Sequence, residues 1–357
     1  MPIMTAIGLM SGTSRDGIDA ALLRTDGETH VEPLDFRSIP YDEDFREQLR
    51  LACEQAMEMD RPAADPLIDP VAAELTRRHA SLIEGWSADI IGFHGHTVAH
   101  RPDRRWTWQI GDGHMLAKLT DIDVVADLRS ADVAAGGQGA PLLPVYHRAL
   151  AAAVEKPLVI LNLGGVANIT FIGDDGTLIA FDTGMASGLI DNWMQSRAGV
   201  DRDTNGETAA SGRVDEAILA SMMANPWFDQ PAPKSIDREE FTIAPVSSLS
   251  VADGAATLTA FTAISVERGL RQLPNRPHRI LVAGGGRHNA TMMHMLADAC
   301  HLPVEPVDGQ GWNGDAVEAQ GFAYMAVRSL SGLPISFPGT TGAPKPMTGG
   351  TLFGASV

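Results

Sequence analysis

Two distant parts of this sequence open the same way, with three short apolar runs separated by turns. The first set is "IMTAIGLM", "GIDAALLRT" and "HVEPLDFRSIP", joined by the Gly- and Ser-rich "SGTSRDG" and by "TDGET". The second is "KPLVILNLGG", "ANITFIG" and "LIAFDTG". Runs of this length, bounded by Gly, Asp and Ser, read as strand-turn-strand units. Each set is followed by alternating helical and strand patterns, so each half predicts a mixed α/β unit. A chain of 357 residues also exceeds the usual single core and favours two domains.

In the first half, helices are predicted over 43–58 and 70–85, with Pro62 and Pro66 in the linker "DRPAADP" between them. "ADIIGFHG" follows as a buried strand, "DGHMLAKLT" as a helix and "DIDVVADL" as a strand. "SADVAAGGQGAPLLP" is too Gly-rich and irregular to predict an element. In the second half, helices are expected at 187–197, 213–224 and 255–272. In the last, Leu258, Phe261 and Ile264 recur at a spacing of three along one face. "HRILVAGGG" is a strand, "HNATMMHMLADAC" a helix, 314–330 the final helix, and the Pro/Gly tail a loop. The expected domains are an N-terminal lobe, 1–130, and a C-terminal lobe, 131–335, with the tail at 336–357 packing back on the first.

Several function classes are disfavoured by composition. A formal net charge of -18 opposes binding to a polyanion, because nucleic-acid affinity comes from clustered Lys and Arg. Cys53 and Cys300 are the only cysteines and lie far apart, which argues against a disulfide framework or a zinc knuckle and fits a reducing cytoplasm. "MPIMTAIGLMSGTS" lacks a basic stretch ahead of its short apolar run, so no secretory signal is expected. No apolar run reaches the roughly 18 residues of a membrane span.

The chemistry-bearing stretches are three Gly-containing loops after strands. "SGTSRDG" offers Gly12 and Gly17 for unusual backbone angles, Ser11, Thr13 and Ser14 as donors, and Asp16 as a carboxylate for Mg²⁺. The same residues suit an ordinary hairpin turn, so both readings stand. A Walker P-loop is excluded because no lysine follows a glycine. "AFDTGMASG" places Asp182 at a strand-to-loop junction, where a general base or a simple turn former would sit. Its Asp-Thr-Gly is also the aspartic-protease signature, but that chemistry needs two such carboxylates, and the chain has one. "ILVAGGGRHNA" would let a flat base or a phosphate approach its backbone, or would make a plain strand-to-helix turn. "FHGHTVAHRPDRRW" brings His94, His96 and His100 close together, and His-x-His on a strand puts both rings on one face, as in some metal sites. With no Asp or Glu near at ligand spacing, solvated or substrate-facing histidines are the expectation. Arg129 suits a carboxylate or a phosphate, or a surface ion pair with Asp132. Asp315 and Glu318 sit in the first turn of a predicted helix, where acids also complement the dipole.

Nine ordered stretches together resemble the anhydro-N-acetylmuramic acid kinase family over essentially the whole chain. They are "GLMSGTSRDGID", "FHGHTV", "DVAAGGQGAPLLP", "NLGGVANIT", "FDTG", "PKSIDREEF", "LTAFTA", "GGGRHN" and "VEA". The resemblance implies the two-lobed actin-like ATPase fold (ribonuclease H-like α/β units) of hexokinase, Hsp70 and actin, with the nucleotide in the interlobe cleft. It implies a kinase that opens the 1,6-anhydro bond of a recycled cell-wall sugar with water and phosphorylates O6, using ATP and Mg²⁺. Carried over by position, Asp182 would be the base. Gly12, Thr13, Ser14, Arg15, Asp16, Gly17, Ile18 and Asp19 would hold the ATP phosphates, with Asp16 toward Mg²⁺, and Gly284, Gly285 and Gly286 would face the adenosine. Thr97, Arg129 and Glu318 would line the sugar site, with Arg129 meeting the lactyl carboxylate. The resemblance further suggests a cytoplasmic homodimer whose partners are the sugar and ATP.

The chain departs from the family at three places. Met185-Ala186-Ser187 stands where Pro-Gly-Asn is usual, His96 where Gln is usual, and Arg15 where an aliphatic residue is usual. Arg15 is expected to face solvent or the phosphates. The departures keep open a sibling sugar kinase, and the fold alone keeps open an actin-like ATPase that takes no sugar.

Overall fold

The computed structural model describes residues 2–236 and 240–355, and these fall into two compact units. The first comprises Met1–Ala153 with Ala316–Val357, and the second Val154–Asp315. Residues 237–239 of the "PKSIDREEF" stretch lie outside the described residues.

The chain opens with β1 (Met4–Ser11), β2 (Gly17–Thr25) and β3 (Val31–Pro40), an antiparallel meander. Helices α1 (Glu43–Met57) and α2 (Ile68–Leu82) follow, then β4 (Ile90–Arg101), β5 (Trp106–Ile110), α3 (Gly113–Thr120) and β6 (Val124–Ala126). The caps are legible in the sequence, since Asp42 accepts from Phe45 N–H and Asp112 from Met115 N–H at the two N-termini. A short helix, α4 (Ser130–Ala134), opens the stretch read as irregular, and a second, α5 (Pro144–Leu150), starts at its last residue. At five and seven residues they are too short to show a helical period.

The chain then builds the second unit with β7 (Leu158–Leu163), β8 (Val166–Ile172), β9 (Leu178–Met185), α6 (Ser187–Ala198), α7 (Glu207–Ser211) and α8 (Glu216–Met223). The long α9 (Val251–Leu270), then β10 (Ile280–Ala283), α10 (Ala290–Cys300) and β11 (Val304–Pro306) complete it. Finally α11 (Val317–Leu330), α12 (Pro338–Thr341) and β12 (Thr351–Phe353) return to the first unit.

Both sheets share one topology. In the first unit the order is β3-β2-β1-β4-β6, extended by β12 and with β5 beside β4; in the second it is β9-β8-β7-β10-β11. Each is a three-stranded antiparallel meander whose first strand carries two parallel strands on its other side. This is the ribonuclease H-like order, so the repeated three-run opening of the sequence is a duplicated fold.

In the first unit, alternation along β1 feeds two cores. Ile7 and Leu9 pack with Phe45, Leu49 and Leu75 from α1 and α2, whereas Ala6 and Met10 pack with Tyr146 and Phe322 from α5 and α11. Contact with α11 is so close that a Cβ on Gly8 would lie 1.7 Å from Ala319 O, and one on Gly92 would lie 2.1 Å from Phe322 O. That packing draws the chain from Ala316 onward into the first unit, although the sequence places 316–335 in the second lobe. The expected boundary at 130 falls instead after Ala153, because Leu142, Val145 and Tyr146 bury against α11. In the second unit, α9 buries Leu258, Phe261 and Val266 in one large core with Val159, Phe181 and Trp193. Among the described residues, no helix is long and apolar enough to cross a membrane.

Candidate active site

In both units the predicted site residues gather at the carboxyl ends of the parallel strands, where open α/β sheets present their ligand-binding loops. In the first unit these are the turn after β1, the distal part of β4, and the segment after β6. In the second they are the end of β9 and the loop after β10.

The turn after β1 is a hairpin. Ser11 pairs with Ile18, and Arg15 N–H donates to Gly12 O at 3.1 Å to close the turn. Arg15 occupies the left-handed region with φ 58, an uncommon choice for a side chain with a Cβ. Thr13, Ser14 and Asp16 are exposed, and Ser14 Oγ donates to Asp16 Oδ1 at 2.7 Å. The amides of Ser14 and Asp16 donate to no described residue, which leaves them unused by the turn, as an anion cradle requires. Gly17 is glycine for another reason, since a Cβ would lie 2.4 Å from Ile39 O on β3. Ile18 points into the core and can meet a ligand only through its backbone. Beneath the hairpin, Ser11 Oγ bonds to Tyr41 Oη at 2.7 Å and to His96 Nδ1 at 2.9 Å.

A correction concerns the histidines. Gly95 takes φ +71 and breaks the pairing register of β4 against β1, so His94 and His96 emerge on opposite faces. His94 stacks on Phe322 of α11, while His96 faces Ser11 and Cys53 of α1. Both rings are buried rather than solvated, and no group of three His, Cys, Asp or Glu that could hold a metal occurs among the described residues.

Among the described residues Arg129 makes no ion pair, with Asp132 or any other carboxylate. Its Nε donates to His94 Nε2 at 3.0 Å and its Nη1 to Gly139 O at 2.7 Å. Glu318, at the start of α11, acts on it electrostatically, and burial still pulls the guanidinium down to about 10. Thr97 accepts from Gln109 Nε2 at 3.1 Å, three residues along β4 from His94. Arg129 and Glu318 are thus neighbours.

Asp182 sits near the end of β9, opposite Asn168 of β8. On its other side runs the 234–236 segment. Asp182 N–H donates to Lys234 O at 2.9 Å, and Ile236 N–H donates to Asp182 Oδ2 at 2.9 Å. Burial pushes the carboxyl up to about 7, and the N–H from Ile236, its one donor among the described residues, offsets only part of that. Lys234 anchors the segment from below by donating to Trp227 O and Phe228 O at 3.2 and 2.9 Å. Neither partner of Asp182 is visible as a site residue in the sequence, because backbone donors carry no side-chain signal. The Met185-Ala186-Ser187 departure docks on the "NLGG" loop. Ser187 Oγ donates to Gly164 O at 2.6 Å, and Ala186 N–H to Gly165 O at 3.0 Å.

The three glycines after β10 divide by role. A Cβ on Gly284, which has φ +79, would lie 2.5 Å from Asn162 Oδ1, and one on Gly286 would lie 2.6 Å from Leu163 Cβ. Those two are demanded by β7. Gly285 is exposed, with nothing within 4 Å of its Cβ position. The loop is fixed by buried Arg287, which bonds bidentately to Asp315 at 2.7 and 2.9 Å, to Asp308 at 2.8 Å and to Gly284 O at 3.1 Å. Asp315 therefore serves as a guanidinium partner, beyond any role as a helix-dipole acid.

Comparison with known proteins gives a consistent picture. A solved PilM-PilN type IV pilus biogenesis complex shares the fold at TM-score 0.51 and 11% identity, over 90% of this chain and 98% of that one. The anhydro-N-acetylmuramic acid kinase of Rhizorhabdus wittichii is 60% identical over 98% of this chain and 99% of its own length. Those of Zymomonas mobilis and Rhodospirillum rubrum are 52% and 49% identical over 98% of this chain, covering 99% and 94% of their own lengths. The family's sequence model matches residues 4–355. With the duplicated fold and its site loops matched from end to end, this chain belongs to the anhydro-N-acetylmuramic acid kinase family.

Proposed function

We propose that this protein is an ATP-dependent kinase that opens 1,6-anhydro-N-acetylmuramic acid with water and phosphorylates O6, returning a cell-wall sugar to metabolism. One observation carries the mechanism: Asp182 is a carboxyl raised to about 7 at the carboxyl end of a strand, with one backbone donor among the described residues. A base of that pKa is partly ionised at neutral pH and still accepts a proton well.

Asp182 takes a proton from the water that attacks C1. The C1–O6 bond breaks, and O6 gains the nucleophilic character that phosphoryl transfer needs. General-base help of this kind is worth about 10² to 10⁴ in rate. Arg129 receives the lactyl carboxylate, and Thr97 and Glu318 hold the sugar. The hairpin residues Gly12 to Asp19 hold the phosphates, and Gly284 to Gly286 face the adenosine, with Gly285 the position left open for it. Bound Mg²⁺–ATP supplies the phosphoryl group and neutralises its charge. The exposed Asp16 fits such an ion, because Mg²⁺ takes most of its ligands from phosphates and water and needs few carboxylates.

The test is ADP release by the purified protein with Mg-ATP, with and without the anhydro sugar. Sugar-dependent turnover is expected, and its absence sinks the proposal. A panel of other anhydro and free sugars addresses the Met185–Ser187 departure. The anhydro-muramic sugar should have the highest kcat/KM, and a better substrate would point to a sibling specificity.

A further inference from the structure

His94 is 5% exposed, yet both ring nitrogens are partnered in a way that permits only one protonation state. Nδ1 lies 2.8 Å from Gly95 O, which can only accept, so Nδ1 carries the hydrogen. Nε2 lies 3.0 Å from Arg129 Nε, which can only donate, so Nε2 carries the lone pair. The ring also rests on Phe322, with centroids 4.6 Å apart.

Arg129 is held at a second point by Gly139 O. Gly139 is itself fixed, because its N–H donates to Asp132 Oδ1 at 2.7 Å. Asp132 is 2% exposed, and its Oδ2 accepts from Thr341 Oγ1 at 2.6 Å and from Ser336 Oγ. The C-terminal segment thus locks the Gly-rich loop that holds one side of the guanidinium, and His94 holds the other. Among the described residues Nη2 makes no hydrogen bond and no carboxylate makes an ion pair with Arg129, Glu318 and Asp132 acting on it only through their charge. A desolvated guanidinium oriented at two neutral acceptors keeps its charge and its remaining donors for a ligand anion.

We infer that His94 is a positioning residue for the reaction, a neutral acceptor that sets the plane of Arg129 so that the guanidinium selects a sugar bearing a carboxylate. The inference rests on the substrate reading above. Burial and the adjacent guanidinium both push the imidazole well below its ordinary pKa, which keeps the acceptor nitrogen available.

The test compares binding of 1,6-anhydro-N-acetylmuramic acid and its neutral methyl ester by calorimetry. His94→Phe keeps the stacked ring but removes the acceptor; His94→Leu is made alongside it in case one variant folds poorly, and His94→Gln restores an acceptor. Wild type should bind the acid more tightly than the ester. H94F and H94L should weaken the acid about tenfold and the ester little, whereas H94Q should recover to within about threefold of wild type. In an Arg129→Gln background, H94F should leave the acid-to-ester ratio unchanged, as coupled residues do. A purely structural histidine would weaken both ligands alike and would still act in the Arg129→Gln background, and either result overturns the inference. A wild-type ratio in H94F or H94L overturns it alone. A wild type that binds neither ligand overturns the substrate reading and this inference with it.

Discussion

Replacing Asp182 by Asn should stabilise the protein, and increasingly so as the pH rises. The folded carboxyl titrates at about 7 against an ordinary 3.8, with burial as the dominant cause. The unfolded chain releases that proton near its ordinary value, so between the two the native state binds more protons and stability falls as pH rises. Three pKa units correspond to about 4 kcal/mol of ionisation cost well above pH 7, and about 1.5 kcal/mol at pH 5. Asn retains an oxygen to accept from Ile236 N–H and cannot ionise. Its unpartnered amide adds a cost that does not vary with pH, so the slope is the signature. From about pH 5 to pH 8, the stability gap between Asp182→Asn and wild type should widen by about 2.5 kcal/mol in favour of the variant, which is roughly 3 °C in Tm for a chain of this length. Thermal melts of both proteins in parallel buffers measure this, and other titrating groups cancel in the difference. A gap that stays flat, or narrows with pH, would refute the claim that burial has made this carboxyl a base poised near neutrality.

Other outcomes follow from the same geometry. Asp182→Asn should bind ATP as wild type does while losing about 10² to 10⁴ in kcat, measured by ADP release. Gly285→Ala should leave Tm near wild type and raise the KM for ATP, because its Cβ meets open space; Gly284→Ala, with φ +79 and Asn162 Oδ1 at 2.5 Å, should lower Tm. His79 is wholly buried with no partner for either nitrogen among the described residues, and burial holds it at about 3, so its stabilising neutral form is challenged as pH falls below the unfolded value near 6.5. His79→Leu should therefore gain about 1.4 kcal/mol on wild type between about pH 7.5 and pH 5.5, read from paired melts.

The sequence carried the architecture further than the site. The three apolar runs that open each half became β1–β3 and β7–β9, because alternation against a core and Gly/Asp turns are local signals. The three-residue β11 and β12 did not show, being too short to display alternation and pairing with strands far back in the chain, and the five-residue β5 did not show although it pairs with the neighbouring β4. The placement of α11 turned on Gly8 and Gly92, whose missing side chains make sense only once the helix is seen against them. In the site, Asp182 and the glycine loops stood out by residue type. Their supports did not: Ile236 acts through its backbone, Arg287 through carboxylates in two other loops, and the bulge at Gly95 sends His94 and His96 apart.

The central claim is that one carboxyl activates water while O6 receives the phosphoryl group, and the mass of the product tests it most directly. After incubation with Mg-ATP and the anhydro sugar, the product should exceed the substrate by one water and one phosphoryl group, with ADP formed in equal amount. A product that gains the phosphoryl group without water, or ADP formed with no sugar product, would contradict it.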